Sequence, residues 1–308
     1  MVMDATPAKA AIQRKTGFRV KPGMTNCIGL MSPCNHSMNR TLLFSIIVLA
    51  ALWIFLSTPS ISFQEELWKR IDEGLFLGEL NPQKLTLVKI DPTYYSFKLL
   101  SLSENKKMRM TTKQWCQNHN LISAINAGMF WTDGITNVGY MKNFNHINNP
   151  RFNSRYKAVL AFNRVDVTIP EIQIIDLKCQ DFETLRDKYQ TLIQGIRMTS
   201  CRQENVWEKQ DKMWSVAAFG MDKSGNGLFI FTESRYSVHD FTNILLSLPI
   251  SLYNAMYLEG GPVATLYFSK NGVEFEKIGS HETGLNESDF PRIAHPIPNV
   301  IGIVKKFR

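Results

Sequence analysis

After residue 63 the chain reads as short β-rich runs broken by turn signals. Residues 85–90 and 94–102 are two such runs, separated by Asp91-Pro92-Thr93. Residues 121–127 predict a strand that enters a loop at Gly128, and residues 158–162 and 172–177 predict two more. Residues 214–221 and 228–232 form a hairpin pattern around Asp222 to Gly227. Residues 255–258 and 263–268 flank Gly260-Gly261, Asn271-Gly272 then makes a tight turn into residues 273–278, and residues 300–304 close the set. Three segments read as helices. Phe63, Leu67, Ile71 and Leu75 recur every four residues with charges between them, which predicts an amphipathic helix over residues 63–75. Residues 181–189 predict a second. Ser237 can cap a third that runs to Leu248 with Val238, Phe241, Ile244 and Leu245 on one face. Strands joined by turns with helices interposed predict an α+β fold, with a mixed, largely antiparallel sheet and packed helices in one domain over residues 64–308.

A different pattern precedes that body. Residues 42–56 contain one polar side chain, Ser45, and residues 41–57 bracket the run. A membrane-spanning helix needs roughly 17–25 apolar residues and a signal-peptide core roughly 7–15. The expectation for residues 38–62 is therefore a signal peptide or a membrane anchor. The chain carries a net charge of +8, and residues 1–40 hold six basic residues against Asp4 alone. Basic charge before an apolar run stays in the cytoplasm, so the body is expected outside it: periplasmic on an inner-membrane anchor, or released after cleavage. The same placement excludes nucleic acid as a partner, since a nucleic-acid binder concentrates its basic charge on the folded body. Residues 1–37 show no apolar periodicity, and the expectation is an unstructured extension upstream of a true start at Met38. Cys116, Cys179 and Cys201 then remain, enough for one disulfide and a free thiol.

Common catalytic motifs are absent. The chain has no Gly-x-Ser-x-Gly, no His-Glu-x-x-His, no Walker loop and no Cys-x-x-Cys, and it implies no cofactor or metal. Three segments carry candidate chemistry. Asn126 ends a hydrophobic strand before Gly128 and Phe130; its amide either meets a ligand or bonds its own turn. Gln194 and Arg197 follow an apolar run; the guanidinium either forks onto a phosphate or lies on the surface. Glu259 ends a buried-looking strand before Gly260 and Gly261. It is either a proton-transfer group beside free backbone N–H groups or a solvated turn residue.

These segments, in this order, resemble the phosphodiester glycosidase family over about residues 120–304. The family's Asn-Gly/Ala-Gly-Met/Tyr-Phe segment corresponds to Asn126 to Phe130, and its Gln- or Ser-containing segment to Gln194-Gly195. Its Leu-Asp-Gly-Gly segment corresponds to Leu258-Glu259-Gly260-Gly261, with Glu in place of the usual Asp. Many members have Arg where Ser215-Val216 stand here; Arg197 is the cation that would replace it. The resemblance implies an exported hydrolase that cleaves a sugar 1-phosphodiester. Glu259 and Arg197 would be catalytic, and Asn126, Gly128, Phe130, Gln194, Gly260 and Gly261 would bind substrate. Glu233 and Glu282 are candidates for a second carboxylate, Asp133 a weaker one, and neither His239 nor His281 receives a role. The alternative is a binding module for envelope glycans or sugar phosphates that has the cleft without turnover.

Overall fold

A computed structural model describes residues 67–105, 108–280 and 292–307. The first strands are β1 (Trp68–Asp72), β2 (Leu75–Leu80), β3 (Leu85–Ile90) and β4 (Tyr95–Ser101), followed by helices α1 (Leu102–Asn105) and α2 (Thr112–His119). Next come β5 (Ser123–Asn126), β6 (Met141–Asn143), β7 (His146–Asn149), β8 (Ala158–Arg164) and β9 (Ile172–Asp176). Helix α3 (Phe182–Leu185) leads through a short 3-10 turn to β10 (Tyr189–Arg197). The hairpin β11 (Trp214–Asp222) and β12 (Gly227–Tyr236) precedes α4 (Val238–Ser247). The chain ends with β13 (Leu252–Gly260), β14 (Thr265–Lys270), β15 (Val273–Ile278) and β16 (Asn299–Lys305).

Two sheets face each other. The larger runs β1-β2-β3-β12-β11-β13-β10-β6-β7, with β8 and β9 joined to it through β10; the smaller runs β15-β14-β5-β16-β4. The central core lies between them: Phe97, Ile125 and Ile301 from the small sheet meet Phe219, Phe229 and Leu258 from the large one. Helix α4 covers the outer face of the large sheet through Val238, Phe241 and Leu245. Its start is set by the Ser237 side chain, which accepts from the Asp240 N–H. Helix α2 covers the small sheet with Trp115 and Cys116, and a capping box at Thr111 and Gln114 starts it.

The predicted strands over residues 85–90, 158–162 and 300–304 form, and so does the Ser237-capped helix. The expected α+β fold holds in part: the sheets are antiparallel and helices pack on them, but the helical share is smaller than expected. Helices are few and short, and the pairings described are antiparallel rather than mixed. Tight turns join the β-runs, so no crossover helix is needed. The helix expected over residues 63–75 also fails where it can be seen, since Trp68–Asp72 is strand β1 and Leu75 opens β2. Gly74, at φ +71°, reverses the chain into a hairpin, and Leu75 and Leu77 enter the central core by strand alternation. A spacing of four satisfies both periods, and sheet pairing decides between them.

The membrane expectation for residues 41–57 lies outside the described residues, as do Glu282 and His281. Among the described residues no helix is long and apolar enough to cross a membrane. Cys179 and Cys201 form a disulfide, while Cys116 is a buried free thiol.

Candidate active site

Glu259 is the last side-chain-bearing residue of β13. On the neighbouring β11, Ala218 pairs with Tyr257 but Ala217 pairs with Glu259, so Leu258 is an inserted residue. This β-bulge re-aims the strand end. Paired residues present their side chains to the same face. Ala217 belongs to the central core, so Glu259 faces the space between the sheets at their open end. It is 7% exposed, and its Oε1 accepts the Gly260 N–H at 3.0 Å. Burial raises its proton affinity from the ordinary 4.5 to about 7, with the Gly260 N–H opposing the rise. A carboxyl with that affinity exchanges protons near neutral pH.

The backbone just beyond Glu259 is shaped by close packing. A Cβ on Gly260 would lie within 2.3 Å of the Trp214 indole and the Tyr257 hydroxyl, so only glycine fits there. Gly261 adopts φ +67° and begins a 3-10 turn, Gly261–Val263, that carries the chain to β14 in the other sheet. Asn126 fixes this turn. Its Nδ2 donates to the Val263 carbonyl at 2.9 Å and its Oδ1 accepts the Thr265 N–H at 2.8 Å. The amide thus bonds backbone, though not that of its own turn: it anchors the turn that follows Glu259 to β5 of the small sheet.

Gln194 plays a parallel part. It is buried, two residues before the Ile196–Tyr257 pair where β10 meets β13, and its main-chain N–H donates to the Tyr140 carbonyl at 2.8 Å. Its Oε1 accepts the N–H groups of Tyr140 and Asn153, and its Nε2 donates to the carbonyls of Asn153 and Tyr156. One of these bonds holds Tyr140 just before β6, and the other three hold the loop between β7 and β8. That loop presents Tyr156, whose hydroxyl is pushed to higher proton affinity by burial and by the Glu259 charge. Tyr156 was not legible as a site residue, because the bonds that place it come from a residue 38 positions away.

Gly128 takes φ +130°, and a Cβ there would sit 2.7 Å from Asn137 Oδ1. Phe130 bridges to Asn137 and packs against the Trp115 cluster. Arg197 lies elsewhere. It pairs with Met256, three residues and about 10 Å of strand from Glu259. Its Nη1 donates to both oxygens of Asp176 at 2.9 Å, next to the Cys179–Cys201 bridge. The other carboxylates are engaged as well: Glu233 pairs with Lys277 and Arg292. Asp133 is exposed and caps its own turn by accepting from Ile135 and Thr136, which lowers its proton affinity. His239 donates to the Trp207 carbonyl at the start of α4. None of the four described surface clefts is lined by Glu259; the largest, ≈ 750 Å³, lies beside His119 and Lys305.

The structure therefore brings Asn126, Gln194, Glu259, Gly260 and Gly261 to one end of the two sheets, with Tyr156, Tyr257 and Trp214 added. A sequence model described as phosphodiester glycosidase matches residues 119–304. Among solved structures, the catalytic domain of zebrafish N-acetylglucosamine-1-phosphodiester alpha-N-acetylglucosaminidase, auto-inhibited by its pro-peptide, is similar at 16% identity and a TM-score of 0.51. That match covers 75% of this chain and 82% of that one. A hypothetical protein from Synechocystis is similar at 12% identity and a TM-score of 0.49, over 76% of this chain and 62% of that one. No curated protein matches the chain.

Proposed function

We propose, from the premise that this chain belongs to the phosphodiester glycosidase family, that it hydrolyses a sugar 1-phosphodiester between the anomeric carbon and the phosphate oxygen. The observation that carries this reading is Glu259: a buried carboxyl at a strand end, aimed between the sheets, with a proton affinity of about 7. The departing phosphate monoester is already a stable anion and needs no proton. The water that attacks the anomeric carbon does need to lose one. Glu259 takes that proton as the new carbon–oxygen bond forms, while the bonding pair leaves with the phosphate. The Tyr156 hydroxyl, held beside Glu259 by the Gln194 loop, is a donor for the developing negative charge.

Gln194 and Asn126 act in this reading as positioning residues, because their amide atoms already bond backbone. Arg197 supports the alternative, a sugar-phosphate binding module. Its pairing with Asp176 directs the candidate phosphate cation to another carboxylate.

The reading extends to location. The basic-flanked apolar run and the Cys179–Cys201 disulfide both support an exported body, with residues 38–62 as anchor or signal and residues 64–308 as the catalytic domain.

A release assay on a panel of sugar 1-phosphodiesters tests the activity. Glu259→Gln keeps size and one hydrogen bond but removes the titrating proton, and turnover should fall roughly 10²–10⁴-fold with folding intact. As a base, Glu259 must be ionised, so kcat/KM of the wild type should rise with pH and level off above about 7. A rate that falls through that range would assign the acid role instead. Unchanged turnover in Glu259→Gln would remove the residue from the chemistry.

A further inference from the structure

Asn299 opens β16, opposite Ser101 of β4, and is 2% exposed. Neither its Nδ2 nor its Oδ1 has a hydrogen-bond partner. Its main chain is well held, with the carbonyl accepting the Ala127 N–H at 3.1 Å. Neighbouring asparagines behave differently. Asn126 bonds Val263 and Thr265, Asn143 donates to the Leu99 carbonyl and to Glu104, and Asn149 donates to the Asn137 carbonyl. These three amides are thus paired, as buried polar groups generally are. An amide held rigid and left unpaired is poised for a group that the protein itself does not supply.

Its position says where that group sits. Along β16, Asn299 shares strand parity with Ile301 and Ile303, both in the central core, so it faces the space between the sheets. The Gly261–Val263 turn links the end of β13 to the start of β14, so Glu259 opens on the same end. From β14 across β5 to β16 is two strand spacings, about 10 Å. A second orphan lies close by: Asn137 Oδ1 has no partner and rests against Gly128, one residue on from the Ala127 that Asn299 holds through its main chain and two on from Asn126.

We infer that Asn299 is a sugar-binding residue of the Glu259 site, its amide oxygen and NH₂ pairing with two adjacent hydroxyls of the glycosyl group. An amide offers one acceptor and two donors on neighbouring atoms, and a vicinal diol is the matching ligand: one hydroxyl donates to Oδ1 and the next accepts from Nδ2. Asn137 Oδ1 supplies a further acceptor at the same end. The inference deepens the phosphodiester-glycosidase reading and rests on it for the identity of the ligand as a sugar.

The test is calorimetric titration with the methyl phosphodiesters of glucose, galactose, mannose and N-acetylglucosamine 1-phosphates, in a Glu259→Gln background that prevents turnover. Asn299→Leu keeps the volume and removes both polar atoms. It should weaken binding about 10–100-fold, while the thermal midpoint without ligand holds or rises because an unpaired amide has gone. Asn299→Asp, which keeps an acceptor and loses the donors, should also weaken binding. Deoxy analogues that lack one hydroxyl of the recognised pair should bind the parent protein more weakly and should not be discriminated by Asn299→Leu. Unaltered affinity in Asn299→Leu, or loss of folding in both variants, overturns the inference. Hydrolysis by the wild type that Asn299→Leu matches in KM overturns it while the activity stands. Binding without hydrolysis that depends on Asn299 upholds it and overturns the activity. If no sugar phosphodiester binds, both fall.

Discussion

Glu259 combines a charged group with a buried position, and that combination has a measurable consequence. In the unfolded chain its carboxyl ionises near 4.5; in the folded protein burial holds the proton to about 7. Between those values the unfolded state has lost a proton that the folded state keeps. Stability therefore falls as pH rises through that window, by on the order of 3 kcal/mol, and stays at the lower level above about 7. Glu259→Gln cannot ionise, so it should lack this loss. Denaturant unfolding of both proteins at several pH values checks it, and curves that run parallel from pH 4 to 8 would show that Glu259 is not held protonated. The destabilisation is what a catalytic carboxyl requires, because a fully solvated group would titrate too low to accept a proton at neutral pH.

At the scale of elements, the site depends on amides that pin loops. Gln194 on β10 holds the loop of Asn153 and Tyr156 with three hydrogen bonds from one buried side chain and accepts the Tyr140 N–H with a fourth. Gln194→Ala should cost about 2 kcal/mol of stability. It should also speed hydrogen exchange at the Asn153 and Tyr140 amides and lower kcat/KM through the displaced Tyr156. Protection at those amides equal to wild type would mean the loop is held by other contacts. Gln194 was legible in the sequence as an important residue, but its role was not, since its partners lie 38 to 54 positions earlier. Glu259 was legible because a carboxylate before two glycines at a strand end has few structural uses. Asn299 was missed: an isolated amide before an apolar run looks like any strand start, and only its burial without partners separates it. The polar strands β6 and β7 were missed for a related reason. They carry little apolar alternation, and they exist because β10 offers an edge to pair with.

For the whole molecule the open question is where the folded body resides, and the cysteines give it a chemical test. The Cys179–Cys201 bridge closes a loop with a sequence separation of 22, between β9 and the segment after β10. Closing a loop of that length in the unfolded chain contributes about 3 kcal/mol to stability. The bridge lies beside the Arg197–Asp176 pair, so losing it also loosens the buried Asp176. Such a bond forms and persists in an oxidising compartment, whereas the reducing cytoplasm would keep both thiols free. An exported body should therefore carry the bridge, and two more cysteines should react with a thiol reagent after reduction than before it. Cys116 stays buried in both states of the native fold, so the comparison is made on denatured protein. Cys179→Ser should lower the unfolding midpoint of exported protein and leave that of protein made in a reducing cytoplasm unchanged. A reporter fused after Arg308 that is active only in the cytoplasm, together with equal thiol counts before and after reduction, would place the body inside and remove the compartment in which an envelope sugar phosphodiester is met.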